Sequence, residues 1–204
     1  MKIGIVNIGI GNIASVKNML VKLGYFCEFT EKPVCGQYNW LILPGVGAFD
    51  NGVKKLKDSG WYSYLKSDDD ILNKKTSVLG ICLGMQLLTE GSEEGELEGL
   101  KLIPGHCKKF HFENNLYKVP HMGWNEVSFK SSLEKLNDTD FGLPRFYFVH
   151  SYHYANDDGS CVLGLTDYGN TFASAIGKNN VYGVQFHPEK SHKYGMSLFK
   201  ELLK

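Results

Sequence analysis

A cysteine flanked by glycines follows a short apolar run in this sequence. Residues 80–84 read Gly-Ile-Cys-Leu-Gly and come directly after the apolar residues 77–79. The pattern is typical of a nucleophile elbow, a strand-to-helix turn that exposes a nucleophile, with a thiol in place of the usual hydroxyl. We expect the glycines to allow the sharp bend and the N-terminus of the following helix to favour the thiolate. The pattern therefore predicts that Cys82 attacks a carbonyl carbon.

A histidine with a nearby carboxylate occurs close to the end of the chain. His187 precedes Pro188, which restricts the local backbone, and Glu189 follows two residues after the histidine. An imidazole can serve as general base and then as general acid, and a carboxylate can orient its ring. We therefore predict a catalytic triad of Cys82, His187 and Glu189. His153 is the alternative base.

Backbone amides near the cysteine are the expected donors of an oxyanion hole. The amide of Leu83, the residue after the nucleophile, is one candidate. The second is expected from the glycine-containing turn 44–47, through Val46 or Gly47, because glycines let a peptide plane rotate towards developing charge. One such donor is typically worth about 2.7–4 kcal/mol of the barrier.

Other patterns have simpler explanations. A lone cysteine after a strand is commonly a small buried apolar residue, and this is the alternative interpretation of Cys82. The four remaining cysteines lack its glycine-flanked setting, and we interpret them as structural or incidental. Residues 9–14 fit a loose dinucleotide-binding fingerprint, with Glu31 at a suitable distance, but a tight turn between a strand and a helix explains them equally well. The acidic run 68–70 is interpreted as a solvated turn. We predict no metal site and no cofactor.

The chemistry requires elements that bring these residues together. Apolar runs predict strands at 2–8, 25–29, 40–43 and 78–81, and helical patterns cover 13–23, 49–72 and 82–88, the first capped by Asn12. Shorter strands are expected at 100–110, 126–129, 145–154, 161–167, 172–176 and 181–186, before a closing helix at 193–203. The order predicts a single α/β domain over 1–204. Its central sheet would be mostly parallel, with flanking helices and added antiparallel strands in the C-terminal half.

Composition narrows the class of protein. The chain has 204 residues, 43% of them hydrophobic and 22% charged, which suits one globular domain with a substantial core. Lys+Arg and Asp+Glu both total 22, so we expect no nucleic-acid partner. The start of the chain lacks a signal-peptide pattern, and no apolar run approaches the length needed to cross a bilayer. With an odd number of cysteines, these features predict a cytoplasmic protein without a membrane partner.

Taken together, these segments resemble the class I (triad) glutamine amidotransferases, and within them the glutaminase subunits of imidazole glycerol phosphate synthase. The resemblance extends from residue 9 to residue 191, and its motifs occupy 44–49, 80–86, 92–95, 120–125 and 185–191. It implies the fold of that family and hydrolysis of L-glutamine to glutamate and ammonia through a γ-glutamyl thioester. It also implies that the substrate is held by four residues: Gln86, Glu94, Ser151 and Tyr152.

The resemblance implies a partner as well. In this family the ammonia passes to a synthase with a (β/α)8 barrel, which makes imidazole glycerol phosphate and an aminoimidazole carboxamide ribotide in histidine synthesis. No barrel-length extension follows, so we expect the synthase to be a separate chain in a heterodimer. Asn12, Trp124 and Lys190 match positions that contact the barrel, although Ser15 stands where asparagine is expected.

Three alternatives stay open. Segments 48–51, 145–152 and 191–196 resemble a paralogous branch that supplies ammonia to amidotransferases of bacterial surface sugars, converting an acetamido to an acetamidino group. A free-standing cysteine peptidase or γ-glutamyl hydrolase could use the same residues, but Gln86 and the segment 92–95 favour a glutamine pocket. A non-catalytic binding module is disfavoured by the intact triad.

Overall fold

The structure is a computed structural model that describes residues 1–67, 69–73, 75–113, 116–140, 142–156 and 159–204. Asp68, which begins the acidic run predicted as a solvated turn, lies outside the described residues. Asp69 instead begins a short helix.

Strands and helices alternate in the N-terminal half, as the sequence predicts. The long helical segment expected over 49–72 is divided into three helices, the first two separated by a turn at Gly60, whose φ of 83° suits glycine. The elements are β1 (Lys2–Val6), α1 (Ile13–Lys22), β2 (Phe26–Thr30), β3 (Trp40–Gly45), α2 (Phe49–Asp58), α3 (Trp61–Ser67), α4 (Asp69–Leu72), β4 (Ser77–Cys82) and α5 (Leu83–Leu87).

Short strands dominate the C-terminal half. They are β5 (Gly91–Ser92), β6 (His106–Lys109), β7 (His121–Glu126), β8 (Ser128–Phe129), β9 (Arg145–His150), β10 (Tyr152–Ala155), β11 (Val162–Tyr168), β12 (Asn170–Lys178) and β13 (Val181–Val184). Helix α6 (His192–Leu202) closes the chain, and 3₁₀ turns occupy Ser131–Asn137 and Pro188–Lys190. The strand expected over 100–110 is reduced to its last part, because Gly105 adopts a φ of 111°. The sequence pattern predicted no strand at β7 except at its last residue, Glu126.

The central sheet confirms the predicted fold class. Its strand order is β2-β1-β3-β4-β13-β12-β10-β6-β5, and the first five strands are parallel. Strands β12 and β10 then join in antiparallel orientation, and β11 pairs with both β12 and β8. Strands β7 and β9 form a separate antiparallel pair.

One predicted strand is divided between two sheets. The segment 145–154 was expected to be continuous, but β9 pairs with β7 whereas β10 pairs with β6 and β12. The change occurs at Ser151, so this residue and its neighbours lie where the two sheets meet.

Helices cover both faces of the parallel strands, which explains why these strands are continuously apolar. Alternate side chains point to opposite faces: Ile42 packs into one hydrophobic cluster and Leu43 into the other. Helices α1 and α6 contribute to the first cluster, and α2 and α3 contribute to the second. This packing holds the carboxyl ends of β3 and β4 side by side.

Candidate active site

Cys82 is the last residue of β4 and adopts a strained backbone conformation. Its φ is 54° and its ψ is −112°, in a region that L residues with side chains rarely occupy. Such strain is concentrated at functional sites and persists only where the surrounding structure enforces it. Cys82 also immediately precedes the short helix α5, as the elbow pattern predicts.

The flanking glycines have a different role from the one predicted. Neither Gly80 nor Gly84 is among the described residues with positive φ, so the expectation that they supply the bend is wrong. Glycine is needed because a Cβ at Gly80 would lie 2.5 Å from the carbonyl oxygen of Gly84, and one at Gly84 would overlap the carbonyl oxygen of Leu43. The glycines let α5 lie directly against β3 and β4, which forces the bend onto Cys82.

His187 and Glu189 form a buried pair beyond the end of β13. The Nδ1 atom of His187 lies 2.8 Å from Oε1 of Glu189, and both side chains are 3% exposed. The His187 backbone amide donates to the carbonyl of Tyr147 at 2.9 Å, and its carbonyl accepts from the Ser191 hydroxyl at 2.6 Å. These bonds anchor the histidine to β9 and to the start of α6.

The charges around His187 favour its protonated form. Burial lowers the pKa of this histidine, but hydrogen bonding and charge interactions with Cys82 and Glu189 outweigh burial and raise the pKa to about 9. Because Nδ1 is held by Glu189, the interaction with Cys82 involves the buried Nε2, which has no other hydrogen-bond partner among the described residues. The nitrogen not held by Glu189 is therefore available for proton transfer.

The alternative base, His153, has different surroundings. Its ring packs 4.6 Å from that of Phe110, and burial lowers its pKa. The other groups that affect this pKa are Tyr154, Glu93 and Lys108 rather than Cys82. These contacts favour His187 over His153 as the partner of the cysteine.

Cys82 lines a cavity of about 480 Å³. This volume suits a small molecule, and the cavity collects the predicted oxyanion and substrate residues around the sulfur. His187 and Glu189 are not among the residues lining it. The lining residues are Val46, Gly47, Ala48, Cys82, Leu83, Gln86, Glu94, Pro120, Val149, His150, Ser151 and Tyr152.

The candidate oxyanion loop reaches the cavity because β3 and β4 are parallel neighbours. Gly45 pairs with Cys82, so Val46 and Gly47 emerge beside the nucleophile. Gly47 has a φ of 102°, and apart from its chain neighbours no described residue has an atom within 4 Å of where its Cβ would be. Leu83 begins α5 on the other side of the sulfur.

Glu94 has a structural contact that the sequence did not indicate. Its Oε2 accepts a hydrogen bond from the backbone amide of Phe49 at 2.9 Å, which satisfies an otherwise unpaired donor at the start of α2. In the opposite direction, the Asp50 carboxylate accepts from the amides of Glu96 and Leu97 at 3.2 and 3.0 Å. The acidic loop and the start of α2 are therefore clamped together, next to the cavity.

Gln86 belongs to a buried chain of amides that ends on the sulfur. Its Nε2 donates to the carbonyl of Tyr152 at 3.3 Å and to Oε1 of Gln185 at 3.1 Å. The Nε2 of Gln185 lies 3.8 Å from Sγ of Cys82. Sequence reasoning assigned no role to Gln185. A polar residue at the end of a buried apolar strand, directly before Phe186, was the signal for it.

Two further buried histidines extend this chain. His150 Nδ1 donates to the Tyr152 carbonyl at 2.9 Å, and its Nε2 lies 3.0 Å from Nδ1 of His121. Burial lowers the pKa of His121 to about 4 and that of His150 to about 3, so both are neutral at pH 7. These contacts pair both rings with polar groups inside the core.

The predicted partner residues lie on neighbouring surface elements. Trp124 is 41% exposed and stacks on His192 at 5.7 Å, while Lys190 Nζ lies 5.4 Å from the ring of Tyr147. Trp124 and Tyr147 are opposite each other in the β7–β9 pair. Asn12 caps α1 by accepting from the backbone amide of residue 15 at 3.3 Å, and α1 contacts the Pro188–Lys190 turn.

The remaining candidate patterns have structural explanations. A Cβ at Gly11 would lie 3.0 Å from the backbone of Pro44, so close packing of the first turn requires glycine there. Within the described ranges, no group of three or more His, Cys, Asp or Glu side chains could hold a metal ion. Over the same ranges, no helix is long and apolar enough to span a membrane.

Comparison with known proteins agrees with this architecture. The family model for glutamine amidotransferase class-I matches residues 5–204. The chain is 48% identical over 203 residues to the imidazole glycerol phosphate synthase subunit HisH 2 of Methanococcus maripaludis, covering 99% of this chain and 98% of the relative. It is 42% identical to the HisH 2 subunit of Pseudomonas aeruginosa, covering 98% and 97%. It is 41% identical to the HisH subunit of Leptospira borgpetersenii, covering 97% of each.

Solved structures share the fold at low identity. A glutamine amidotransferase crystal structure superposes with a TM-score of 0.72 at 15% identity, covering 99% of each chain. A chain of PurLQS from Thermotoga maritima superposes with a TM-score of 0.67 at 16% identity, covering 99% of this chain and 97% of that one. The match over residues 5–204 and the relatives at 41–48% identity establish the family. The chain belongs to the class-I glutamine amidotransferases.

Proposed function

We propose that this protein is the glutaminase subunit of an imidazole glycerol phosphate synthase, formed of one glutaminase domain over residues 1–204. The observation that carries the proposal is the strained Cys82 at the wall of a cavity, combined with the buried His187–Glu189 pair that acts on it. The names of the relatives from three organisms support the assignment to that synthase. The expected location is the cytoplasm.

The chemistry begins with attack of the Cys82 thiolate on the side-chain amide carbon of L-glutamine. A C–S bond forms, and the negative charge moves to the amide oxygen, where the amides of Leu83 and of Val46 or Gly47 stabilise it. Protonated His187 then gives its proton to the departing nitrogen as the C–N bond breaks and ammonia leaves. Glu189 holds the imidazole through Nδ1, which leaves Nε2 for this transfer.

Hydrolysis of the thioester regenerates the enzyme. Neutral His187 takes a proton from water as the water oxygen attacks the γ-glutamyl carbon. The C–S bond breaks, the electron pair returns to sulfur, and glutamate is released. Cys82 and His187 are thereby restored as thiolate and imidazolium.

The cavity offers complementary groups for the amino-acid end of glutamine. Glu94 supplies a carboxylate suited to the α-ammonium group, and backbone amides near Ser151 and Tyr152 suit the α-carboxylate. Gln86 is buried at the base of this region and joins it to the sulfur through Gln185.

The ammonia would pass to a (β/α)8-barrel synthase, a separate chain bound as a heterodimer. Asn12, Trp124 and Lys190 are the proposed contacts. We expect the isolated chain to be a poor glutaminase, with the Gly45–Gly47 loop at rest with an amide turned away from the cavity. The empty space around the Cβ position of Gly47 leaves room for that peptide to rotate.

The sugar-modifying branch stays the second candidate for the ammonia acceptor. The segment 191–196, which resembles that branch, contributes His192, and this ring stacks on Trp124 at the proposed partner surface. The same glutaminase chemistry would serve either acceptor.

Glutamate release from L-glutamine tests the glutaminase proposal. We expect hydrolysis that rises on addition of a barrel synthase with its phosphoribosyl substrate, and loss of activity of at least a thousandfold in Cys82→Ser, since removal of a nucleophile in a triad costs this much or more. Equal rates with and without the synthase would contradict partner activation. Hydrolysis of peptide or polyglutamyl amides without action on free glutamine would favour a free-standing hydrolase instead.

A second measurement identifies the enzyme that receives the ammonia. We expect formation of imidazole glycerol phosphate when the chain is mixed with the barrel synthase and its substrate, with glutamine as the nitrogen source. Transfer of nitrogen only in the presence of an adenylating sugar-modifying enzyme would assign the chain to the paralogous branch.

A further inference from the structure

A side-chain amide lies against the sulfur of Cys82 in a fully buried position. Gln185 is 0% exposed and follows β13, where its backbone amide donates to the carbonyl of Ser174 at 2.9 Å. Its side chain extends to the end of β4, with Nε2 3.8 Å from Sγ of Cys82. Burying an amide costs free energy unless its polar atoms are hydrogen-bonded, so the contact with Cys82 helps to satisfy the Gln185 side chain in the core.

The hydrogen-bond network determines which end of the Gln185 amide faces the sulfur. A backbone carbonyl can only accept, so the group of Gln86 that faces the Tyr152 carbonyl must be its NH2. That NH2 also faces the Gln185 amide, which must therefore present its oxygen to Gln86, at 3.1 Å. The NH2 of Gln185 is left pointing at Cys82.

His150 and His121 continue the hydrogen-bond chain from the Tyr152 carbonyl. His150 Nδ1 donates to the Tyr152 carbonyl at 2.9 Å, so its Nε2 carries the lone pair that accepts from His121 Nδ1. Asn125 Nδ2 then lies 3.3 Å from the acceptor nitrogen of His121. Each donor in the chain has one consistent direction, and this leaves the Gln185 amide no alternative flip.

Besides His187, whose protonated ring interacts with Cys82, the sulfur has one acceptor and one donor as hydrogen-bonding neighbours among the described residues. As a thiol it can donate to the carbonyl of Val149, which lies 3.9 Å away, whereas Gln185 can only donate to it. Loss of the proton removes the first bond and turns the second into a charge-assisted bond, which is about twice as strong as a neutral one. The Gln185 contact therefore strengthens when the sulfur carries negative charge.

We propose that Gln185 is a catalytic hydrogen-bond donor that stabilises the Cys82 thiolate, an inference that rests on the proposed glutaminase function. The donor acts at two points of the cycle. Before attack it holds the sulfur in the ionised form. During hydrolysis of the thioester, water adds to the γ-glutamyl carbon and gives its proton to His187. The C–S bond breaks and its electron pair returns to the sulfur, to which the Gln185 N–H donates a hydrogen bond.

The test is the pH dependence of Cys82 alkylation by iodoacetamide in the full chain. This reagent reacts with the thiolate and needs no glutamine, so the result does not depend on the glutaminase assay. We expect Gln185→Met, which keeps the volume and removes the donor, to move the midpoint pH of alkylation upward by about one unit, a tenfold change in equilibrium. Gln185→Glu, which keeps an acceptor for Gln86 and adds negative charge, should move it further.

Asn180→Leu is the matched control. Asn180 is also a buried amide, at the opposite end of β13, and its Nδ2 donates to the carbonyls of Ile71 and Thr76. We expect this variant to lose stability without moving the alkylation midpoint. A shift below about half a unit in both Gln185 variants would overturn the inference. Such a small shift would overturn the role of Gln185 even if the unmodified chain hydrolyses glutamine. If the variants shift the midpoint but the unmodified chain does not hydrolyse glutamine, only the proposed glutaminase function is contradicted.

Discussion

His187 and Glu189 illustrate how burial and charge act together on one residue. Water is nearly absent around both side chains, which alone would favour a neutral imidazole. The neighbouring acidic groups outweigh this effect, and the pKa of His187 rises to about 9. The protonated form is therefore favoured by folding. Its contribution to stability is complete below pH 6.5, the ordinary pKa, and is lost as the pH rises through about 9.

The raised pKa gives a prediction for the pH profile of glutamine hydrolysis. If His187 protonates the leaving ammonia, kcat/KM falls as the pH rises through about 9, because kcat/KM reports the ionisation of the free enzyme. Glu189→Gln removes one of the charges that raise this pKa, so the alkaline midpoint should move to lower pH. A profile of kcat/KM against pH for both proteins measures the change. An unmoved midpoint in the variant would show that Glu189 does not control the ionisation that limits catalysis.

Glu94 combines two contacts that a substitution can separate. Glu94→Gln keeps an oxygen for the amide of Phe49 but loses the charge proposed to bind the α-ammonium group. We expect KM for glutamine to rise by about tenfold or more with kcat little changed, since a hydrogen bond to a charged group contributes about 1.5–3 kcal/mol. Steady-state kinetics measure this split.

Glu93→Gln is the control for that experiment. Glu93 is the adjacent carboxylate, and its Oε2 accepts from the amide of Lys109 outside the cavity. We expect its KM to stay within about twofold of the unmodified value, because its carboxylate is bound to the Lys109 amide and is not among the residues that line the cavity. Equal increases in both variants would mean that general acidity of the loop, not Glu94, attracts the substrate.

At the scale of elements, the close packing of α5 against β3 and β4 creates the strained turn. Gly45 and Gly84 approach each other so closely that a Cβ at Gly45 would lie 2.8 Å from the Gly84 amide. The helix is only five residues long, so its own hydrogen bonds contribute little to holding Cys82 in place. Packing against the strands supplies the constraint.

A pair of glycine substitutions tests this packing. Gly84→Ala would drive a methyl group into the carbonyl of Leu43, and we expect the free energy of unfolding to fall by about 1–3 kcal/mol. Gly52→Ala in α2 would contact only side-chain atoms of Leu87 and Leu83, which can shift, and it gains about 1 kcal/mol of helix propensity. Chemical denaturation should therefore show a clear loss for the first variant and little change for the second. Similar losses in both would refute the close-packing explanation.

At the scale of the whole molecule, the two sheets have different tasks. The parallel strands carry Cys82 and the candidate oxyanion loop at their carboxyl ends, where ligands bind in open α/β sheets. The β7–β9 pair carries Trp124 and Tyr147 on an outer surface, and its residue His150 also lines the cavity. The β7–β9 pair therefore carries the proposed partner surface and also contributes to one wall of the substrate cavity.

This arrangement predicts a role for Trp124 in partner binding. Trp124→Ala should weaken binding of the barrel synthase by at least about tenfold, because exposed aromatic residues at interface centres commonly contribute 2 kcal/mol or more. Phe26→Ala is the control: Phe26 is 64% exposed but lies on β2, an edge strand of the central sheet, whereas Trp124 lies in the separate β7–β9 pair. Titration calorimetry measures both. If only Phe26→Ala weakened binding, the interface would lie at the β2 edge of the central sheet and not at Trp124.

Local patterns in the sequence were sufficient for the fold class and for the identity of the candidate nucleophile. Apolar runs predicted the parallel strands, Asn12 predicted the start of α1, and the cysteine between glycines predicted the end of β4, because each signal depends on a few consecutive residues. The triad, oxyanion and substrate roles stay predictions, although their residues converge on one cavity and its neighbouring buried pair.

Contacts between distant segments were decided only by the tertiary structure. One predicted strand is divided at Ser151 because its two halves pair with different, distant strands. The hydrogen bond between Glu94 and Phe49 and the contact between Gln185 and Cys82 also join segments that are far apart in sequence. No local periodicity encodes such pairs, because they depend on which strands become neighbours and how closely helices pack on them. Gly84 shows the same limit: its position beside Cys82 indicated a turn, but the backbone atoms that exclude a side chain there belong to Leu43 of another strand.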